Sequence, residues 1–274
     1  MTQWICSTCA VESPDADSPP ALCAICTDER QFVPRTGQAW TSLEQMSASG
    51  FRLDLREVEP DLFGILSVPP VGLGQRSLLV RTEVGNLLWD PTGFVDEAGA
   101  QQVLELGGAS LIVASHPHMY GAQAAWSRAL GGVPVLVAEA DRAWVQRPDP
   151  AIIHWTGDLE VLPGVTISTV GGHFPGSAVA VWKRGASGRG VLLAGDTIFP
   201  GPDGNWVTFM RSFANTIPLS AAVVDRVANA VNRLTFDRLY GNFGGVIPSD
   251  ARGVIRRSAD RYMGWVRGDF DHLT

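Results

Sequence analysis

"ASHPHMYGAQAAW", residues 114–126, is the stretch on which the reading of this chain turns. It closes an apolar run, "ASLIVAS" (109–115), of the kind found in strands covered on both faces. The run delivers His116 and His118 with only Pro117 between them. At a strand end, residues i and i+2 point to the same side. Pro117 fixes its own φ and biases His116 toward extended geometry, so two imidazoles can converge on one point without a helix.

Two further apolar runs end in the same manner. "VTISTVGG" leads to His173, with Gly171 and Gly172 letting the backbone pass close to a neighbour, and "VLLAGD" ends in Asp196. A buried carboxylate needs a partner, and a metal ion is one that meets the cost. The bland readings are hydrogen-bonded histidines and a capping aspartate, and for the isolated His154 and His272 the bland reading is preferred. For the other four residues the co-occurrence of His-x-His, Gly-Gly-His and Gly-Asp raises a metal site to equal standing.

All four cysteines, Cys6, Cys9, Cys23 and Cys26, fall in the first 26 residues as C-x2-C-x13-C-x2-C. Disulfides are the competing reading. The opening "MTQWICSTCA" lacks a basic segment followed by an apolar one, so an intracellular, cytoplasmic setting is expected, where disulfides are disfavoured. Four thiolates around one tetrahedral ion, zinc by first choice, suit the spacing better. A segment this small needs such a staple, so metal binding and folding should be one event.

The 274 residues, 45% apolar, are ample for a large core and a small appendage. A net charge of −7 argues against a nucleic-acid partner, and no apolar stretch is long enough to cross a bilayer. We divide the chain into a four-cysteine knuckle (1–30), a connector (31–50) and a main domain (51–274). Within the main domain the patterns predict a hairpin from "SLLVRT" (77–82) and "NLLWDP" (86–91), and a helix over 96–106 stopped by Gly107-Gly108. They also predict a helix after Gly121, strands over 133–139, 165–170, 177–182 and 190–195, and helices over about 219–234 and 250–267. The class is α/β with sizeable sheets.

"SHPH", "GGHFPGS" and "LLAGDTIF", in that order, resemble the motifs of the metallo-β-lactamase fold superfamily, which includes glyoxalase II-type thioesterases. "LLWDPTG", with Asp90, resembles the early strand whose Asp supports the ligand loop. The likeness spans roughly residues 55–245. It implies an αββα sandwich with a metal in a cleft at one edge of two sheets, held by His116, His118, His173 and the normally bridging Asp196. The full motif His-x-His-x-Asp-His has Tyr120 and Gly121 in its last two places, and the usual Gly-His-Gly turn is replaced by "LYGNFGG" (239–245) with Asn242 or Phe243. One metal is therefore expected, Zn2+ or Fe2+, and not two. "WICSTC…PPALCAIC" resembles a rubredoxin-like or zinc-ribbon knuckle, although Ala10 and Thr27 stand where glycines often follow such pairs.

The leading expectation is a mononuclear hydrolase of an ester, thioester, lactone or related small molecule, acting through a metal-bound hydroxide. Asp196 would complete the metal shell or act as base, Asp90 would hold a ligand imidazole in place, and Tyr120 would donate to a developing oxyanion. Two other readings stay open. One is a non-haem Fe(II) oxygenase like the persulfide dioxygenases, using His116, His173 and Asp196. The other is a non-catalytic binding protein that keeps only the scaffold. The knuckle is read as a lid, a homodimer contact or a platform for a protein partner. Arginines in the last helix, from Arg252 to Arg267, are read as solvated charge ahead of an anion-attracting face.

Overall fold

Period-two alternation divides the strand residues between cores. Leu78, Val80, Leu87, Trp89, Leu111 and Val113 face Val165, Ile167, Ala178, Ala180, Val191 and Leu193 in one core, while Leu79, Leu88 and Ile112 point the opposite way into another. Val179, Val181 and Leu192 do the same on the far side. The central strands are thus buried on both faces, and the result is two sheets packed together with helices outside each.

The computed structural model describes residues 1–274. The N-terminal unit is a small antiparallel sheet of β1 (Thr2–Cys6), β2 (Glu12–Ala16) and β3 (Trp40–Thr41), in order β2-β1-β3. Its third strand comes from residues the sequence reading gives to the connector. The first large sheet runs in chain order through β4 (Arg52–Glu59), β5 (Leu62–Val68), β6 (Ser77–Thr82), β7 (Gly85–Trp89), β8 (Leu111–Val113), β9 (Val135–Ala138) and β10 (Ile152–Trp155). From β4 to β7 it is an antiparallel meander. From β7 to β10 the strands are parallel, with the helices Glu97–Glu105 and Gln123–Ala129 as crossovers.

The second sheet contains β11 (Asp158–Leu162), β12 (Val165–Thr169), β13 (Ala178–Trp182) and β14 (Val191–Leu193). Two ribbons follow, β15 (Phe199–Pro200) with β16 (Val207–Thr208), and β17 (Met210–Ser212) with β18 (Ile217–Pro218). The chain then returns as β19 (Arg238–Tyr240), parallel to β14, and β20 (Val246–Ile247). The helices Ala221–Asn232 and Ala251–Arg267 cover this sheet's outer face. The αββα sandwich is the one expected. No helix is long and apolar enough to cross a membrane.

Several arginines of the final helix are spoken for: Arg256 pairs with Asp225 and Asp260, Arg257 with Asp250, and Arg261 stacks on Trp206 at 3.5 Å. Trp155 lies in the core between the sheets. Neither Trp155 nor Trp206 belongs to the metal site described below. His154 lies in β10 with its Nδ1 unpartnered, and His272 is exposed near the terminus.

β2 docks on the main domain through Glu12. Its backbone N–H donates to the Gly121 carbonyl at 3.0 Å, and its buried carboxylate accepts from Ala124 N at 2.5 Å and Gln3 Nε2 at 2.6 Å. Desolvation raises this carboxyl to about 7, against the opposing pull of the Ala124 N–H and of Arg147 and Arg128. A folded-state value above the unfolded one means the native protein holds the proton more tightly. Stability is then highest below the unfolded value of about 4.5, falls as pH rises toward 7, and is flat beyond. Glu12→Gln is expected to remove this slope, worth about 3 kcal/mol between the two values. Denaturant unfolding of both proteins across pH 4.5–8 measures it, and parallel curves would refute the assignment.

Candidate metal centre

Both sheets deliver their site residues just beyond strand ends. β8 stops at Val113, so His116 is not on the strand itself. His116 is extended (φ −170°, ψ 170°), as a residue before proline should be, and Pro117–Met119 then forms a single 3-10 turn. His118 thus reaches the site from a turn. This corrects the expectation that strand periodicity aligns the two rings: proline's fixed φ suits the first position of a helical turn as well as it suits a strand. Asp196 likewise sits in a 3-10 turn, Gly195–Thr197, after β14 has ended at Leu193. Gly195 has φ +51°, and a Cβ there would lie 2.6 Å from Ser115 Oγ. The absence of a side chain is what lets the two turns meet.

His116, His118, His173 and Asp196, all buried, each offer one ligand atom within 4.8 Å of the others. His173 Nε2 faces His118 Nδ1 at 3.1 Å, and His116 Nε2 faces Asp196 Oδ2 at 3.4 Å. Ligand bonds of about 2.0–2.1 Å to a tetrahedral ion would put such atoms roughly 3.4 Å apart. His116 Nε2 and Asp196 Oδ1 have no hydrogen-bond partner despite burial, a costly condition that a shared cation would relieve. The donor set and its orphaned atoms fit one ion.

The tautomers follow from the neighbours. Met210's carbonyl can only accept, so His173 Nδ1 donates to it at 3.0 Å, leaving the Nε2 lone pair facing inward. Asp90 accepts from Ser115 N at 2.6 Å and from Ser115 Oγ at 3.0 Å. With its own proton committed, Ser115 Oγ accepts from His116 Nδ1 at 2.9 Å, again leaving Nε2 for the site. Asp90 therefore reaches the ligand ring through a serine. Desolvation pushes His118 well down and His173 to about 4, aided by the other imidazoles, and neutral imidazole is the ligating form. Asp196 is held below the usual carboxylate range: burial opposes this, and the nearby imidazoles outweigh it.

Tyr120 is buried with its hydroxyl donating to the Asp141 carbonyl at 3.2 Å. This corrects the expectation of an oxyanion donor: the hydroxyl proton is already committed to a backbone carbonyl. Gly121 has φ +52°, and a Cβ would stand 2.3 Å from the Pro91 carbonyl oxygen. No side chain, and so no second-site histidine, fits there. Asn242 is buried with neither amide atom partnered, and it belongs to neither group of converging ligands.

Three contributors escaped the sequence reading. Phe174 packs against all three imidazoles, with ring centroids 4.9–5.9 Å away. Arg30 donates from Nε to the His173 carbonyl at 2.9 Å and lies 4.1 Å over the Phe174 ring. Ser115 carries the link from Asp90. Only Ser115 and Phe174, each beside a histidine, left a signal in the sequence.

The cysteines form the other group. All four are buried and free, with Cys6 Sγ and Cys26 Sγ 3.6 Å apart and Cys9 Sγ and Cys23 Sγ also 3.6 Å apart. That is far too long for a disulfide and close to the edge of a tetrahedral zinc–thiolate cluster. Gln38 Nε2 donates to Cys6 Sγ at 3.2 Å. Ala10, where a glycine often stands, has φ 68°, the conformation that glycine adopts freely.

A family model described as the metallo-beta-lactamase superfamily matches residues 71–241, more than half of the chain. The chain belongs to the metallo-beta-lactamase superfamily. It is 39% identical to the uncharacterized protein YmaE of Bacillus subtilis (strain 168), over 99% of this chain and 100% of that one. Among solved structures, DIM-1 metallo-beta-lactamase is similar at a TM-score of 0.55 with 12% identity, covering 77% of this chain and 97% of that chain. FIM-1 from Pseudomonas aeruginosa, in its mono-zinc form, is similar at 0.52 with 16% identity, covering 77% and 96%. At these identities the metallo-beta-lactamase structures speak for the fold alone.

Proposed function

We propose that this protein is a hydrolase with one catalytic cation, held by His116, His118, His173 and Asp196, acting on an ester, thioester, lactone or related carbonyl compound. The observation that carries the reading is the convergence of three buried imidazoles and a carboxylate, with His116 Nε2 and Asp196 Oδ1 left without a hydrogen-bond partner. A divalent cation bound there supplies Lewis-acid polarisation and brings the pKa of a bound water toward neutrality. The chain's own residues do the rest. Asp90, through Ser115, and the Met210 carbonyl hold two imidazoles in the tautomer that faces the site. Asp196, with Oδ1 unpartnered, orients the attacking water and takes its proton. Water adds to the carbonyl carbon, the C–O or C–S bond breaks, and the proton passes to the departing alcohol or thiol.

We assign zinc to both sites, since four thiolates and three imidazoles with a carboxylate are its ordinary donors. The division at 1–30, 31–50 and 51–274 belongs to the same proposal. Metal analysis of protein purified without added metal tests it, together with turnover of p-nitrophenyl esters and acyl thioesters. We expect about two zinc per chain, falling to about one in a Cys9→Ser/Cys23→Ser variant. Metal confined to the cysteines would overturn the reading. Iron at the histidines, with oxygen consumed in the presence of a persulfide, would replace the hydrolase with an oxygenase.

A further inference from the structure

We infer that the substrate carries an uncharged apolar group, an acyl chain or aromatic ring of roughly ten heavy atoms, seated in a cavity walled by Phe32, Leu73, Phe199, Phe213 and Phe243 that opens onto Asp196. This rests on the hydrolytic reading above and names the class of molecule that site takes. The cavity measures about 340 Å³, at the lower end of small-molecule pockets. Asp196 is its single ionisable lining residue and Gln31 its only other polar one, so the carboxylate of the metal group stands at one boundary of a mostly apolar cavity. A larger cavity of about 620 Å³ lies on the other side of Phe199 and Phe243, but it is lined largely by glycine and proline and touches no member of the metal group.

Phe32 is 47% exposed and Phe243 40% exposed, and both rings border this cavity. Aromatic surface left wet on a monomer is a cost that an apolar ligand repays. Phe32 comes from the N-terminal segment, six residues after Cys26, and that segment is fastened to the site. Arg30 donates to the His173 carbonyl, Ser212 Oγ donates to the Arg30 carbonyl at 3.0 Å, and Asn215 Nδ2 donates to the Gln31 carbonyl at 3.0 Å. The four-cysteine unit thereby holds one wall of the cavity and braces the His173 loop. Its role in this reading is to complete the substrate site.

The test uses the full chain with its metals and two readouts. Binding of octanamide, uncharged and with an acyl chain of suitable length, is measured by calorimetry. Turnover of p-nitrophenyl acetate, butyrate, octanoate and dodecanoate gives the chain-length dependence. We expect kcat/KM to rise by up to about fourfold per added methylene and to level near eight to ten carbons. Phe32→Ser, at an exposed position, and Ala214→Trp, at the rim, should each weaken octanamide binding about tenfold or more. Both should flatten the length dependence while leaving metal content unchanged. Equal octanamide binding by wild type and both variants, or turnover independent of chain length, would overturn the inference. Octanamide binding that responds to both variants without turnover of any ester would keep the cavity and sink the hydrolytic reading instead.

Discussion

His173→Ala is expected to lower the bound metal by about one ion per chain and to cut hydrolytic turnover by roughly a thousandfold or more. The ring supplies one of three nitrogens at the site, and its Nε2 lies 3.1 Å from His118 Nδ1. Its removal leaves His116, His118 and Asp196 with a gap in their shell, and the Met210 carbonyl without its donor. The fold should tolerate the change better than the chemistry does, because the loop keeps its Arg30 contact through the residue 173 backbone. The measurement is metal content beside kcat and a thermal unfolding curve. Retained metal with retained activity would remove this histidine from the site. Lost activity with a collapsed melting curve would call for His173→Gln, which keeps bulk and polarity and is expected to lose metal while remaining folded.

Gly121→Ala is expected to destabilise the protein by about 2–5 kcal/mol, or to abolish soluble expression. Two costs combine. The residue occupies φ +52°, a conformation in which an L side chain is strained by about 1–2 kcal/mol. The added carbon would also sit 2.3 Å from the Pro91 carbonyl oxygen and 2.8 Å from that of Thr92, both backbone atoms that cannot turn aside. The same position anchors the N-terminal unit, since the Gly121 carbonyl accepts from Glu12 N. Chemical denaturation checks the magnitude, and a loss below 1 kcal/mol would show that the loop relaxes easily. The result bears on metal number: Gly121→His would meet the same obstruction with a larger group, so restoring a second site by that substitution should fail at folding.

Much of the site was legible because its residues lie where apolar runs stop. His116, His118, His173 and Asp196 each follow a buried strand, and the structure brings all four together. The cysteine spacing was equally direct, because four thiols in two C-x2-C pairs have few ways to be satisfied. Legibility failed where the next contact lies elsewhere in the chain. Proximity to His118 in sequence suggests a place for Tyr120 near the metal, yet its hydroxyl goes to the Asp141 carbonyl. Arg30 lies 143 positions from His173, and no local pattern announces that its guanidinium will brace that loop.

Local sterics and solubility therefore settle a definite share of this protein from sequence alone. Period-two burial makes both sheets, the residue before a proline is extended, glycine terminates the early helix, and metal-ligand types stand at strand ends. Each of these depends only on a residue and its immediate neighbours. The tautomers of His116 and His173, the exclusion of a side chain at residue 121, and the cavity that Phe32 shares with Phe199, Phe213 and Phe243 were decided by the tertiary structure. Those depend on which distant atoms come within a few ångströms, and that is set by how the sheets and the cysteine unit pack.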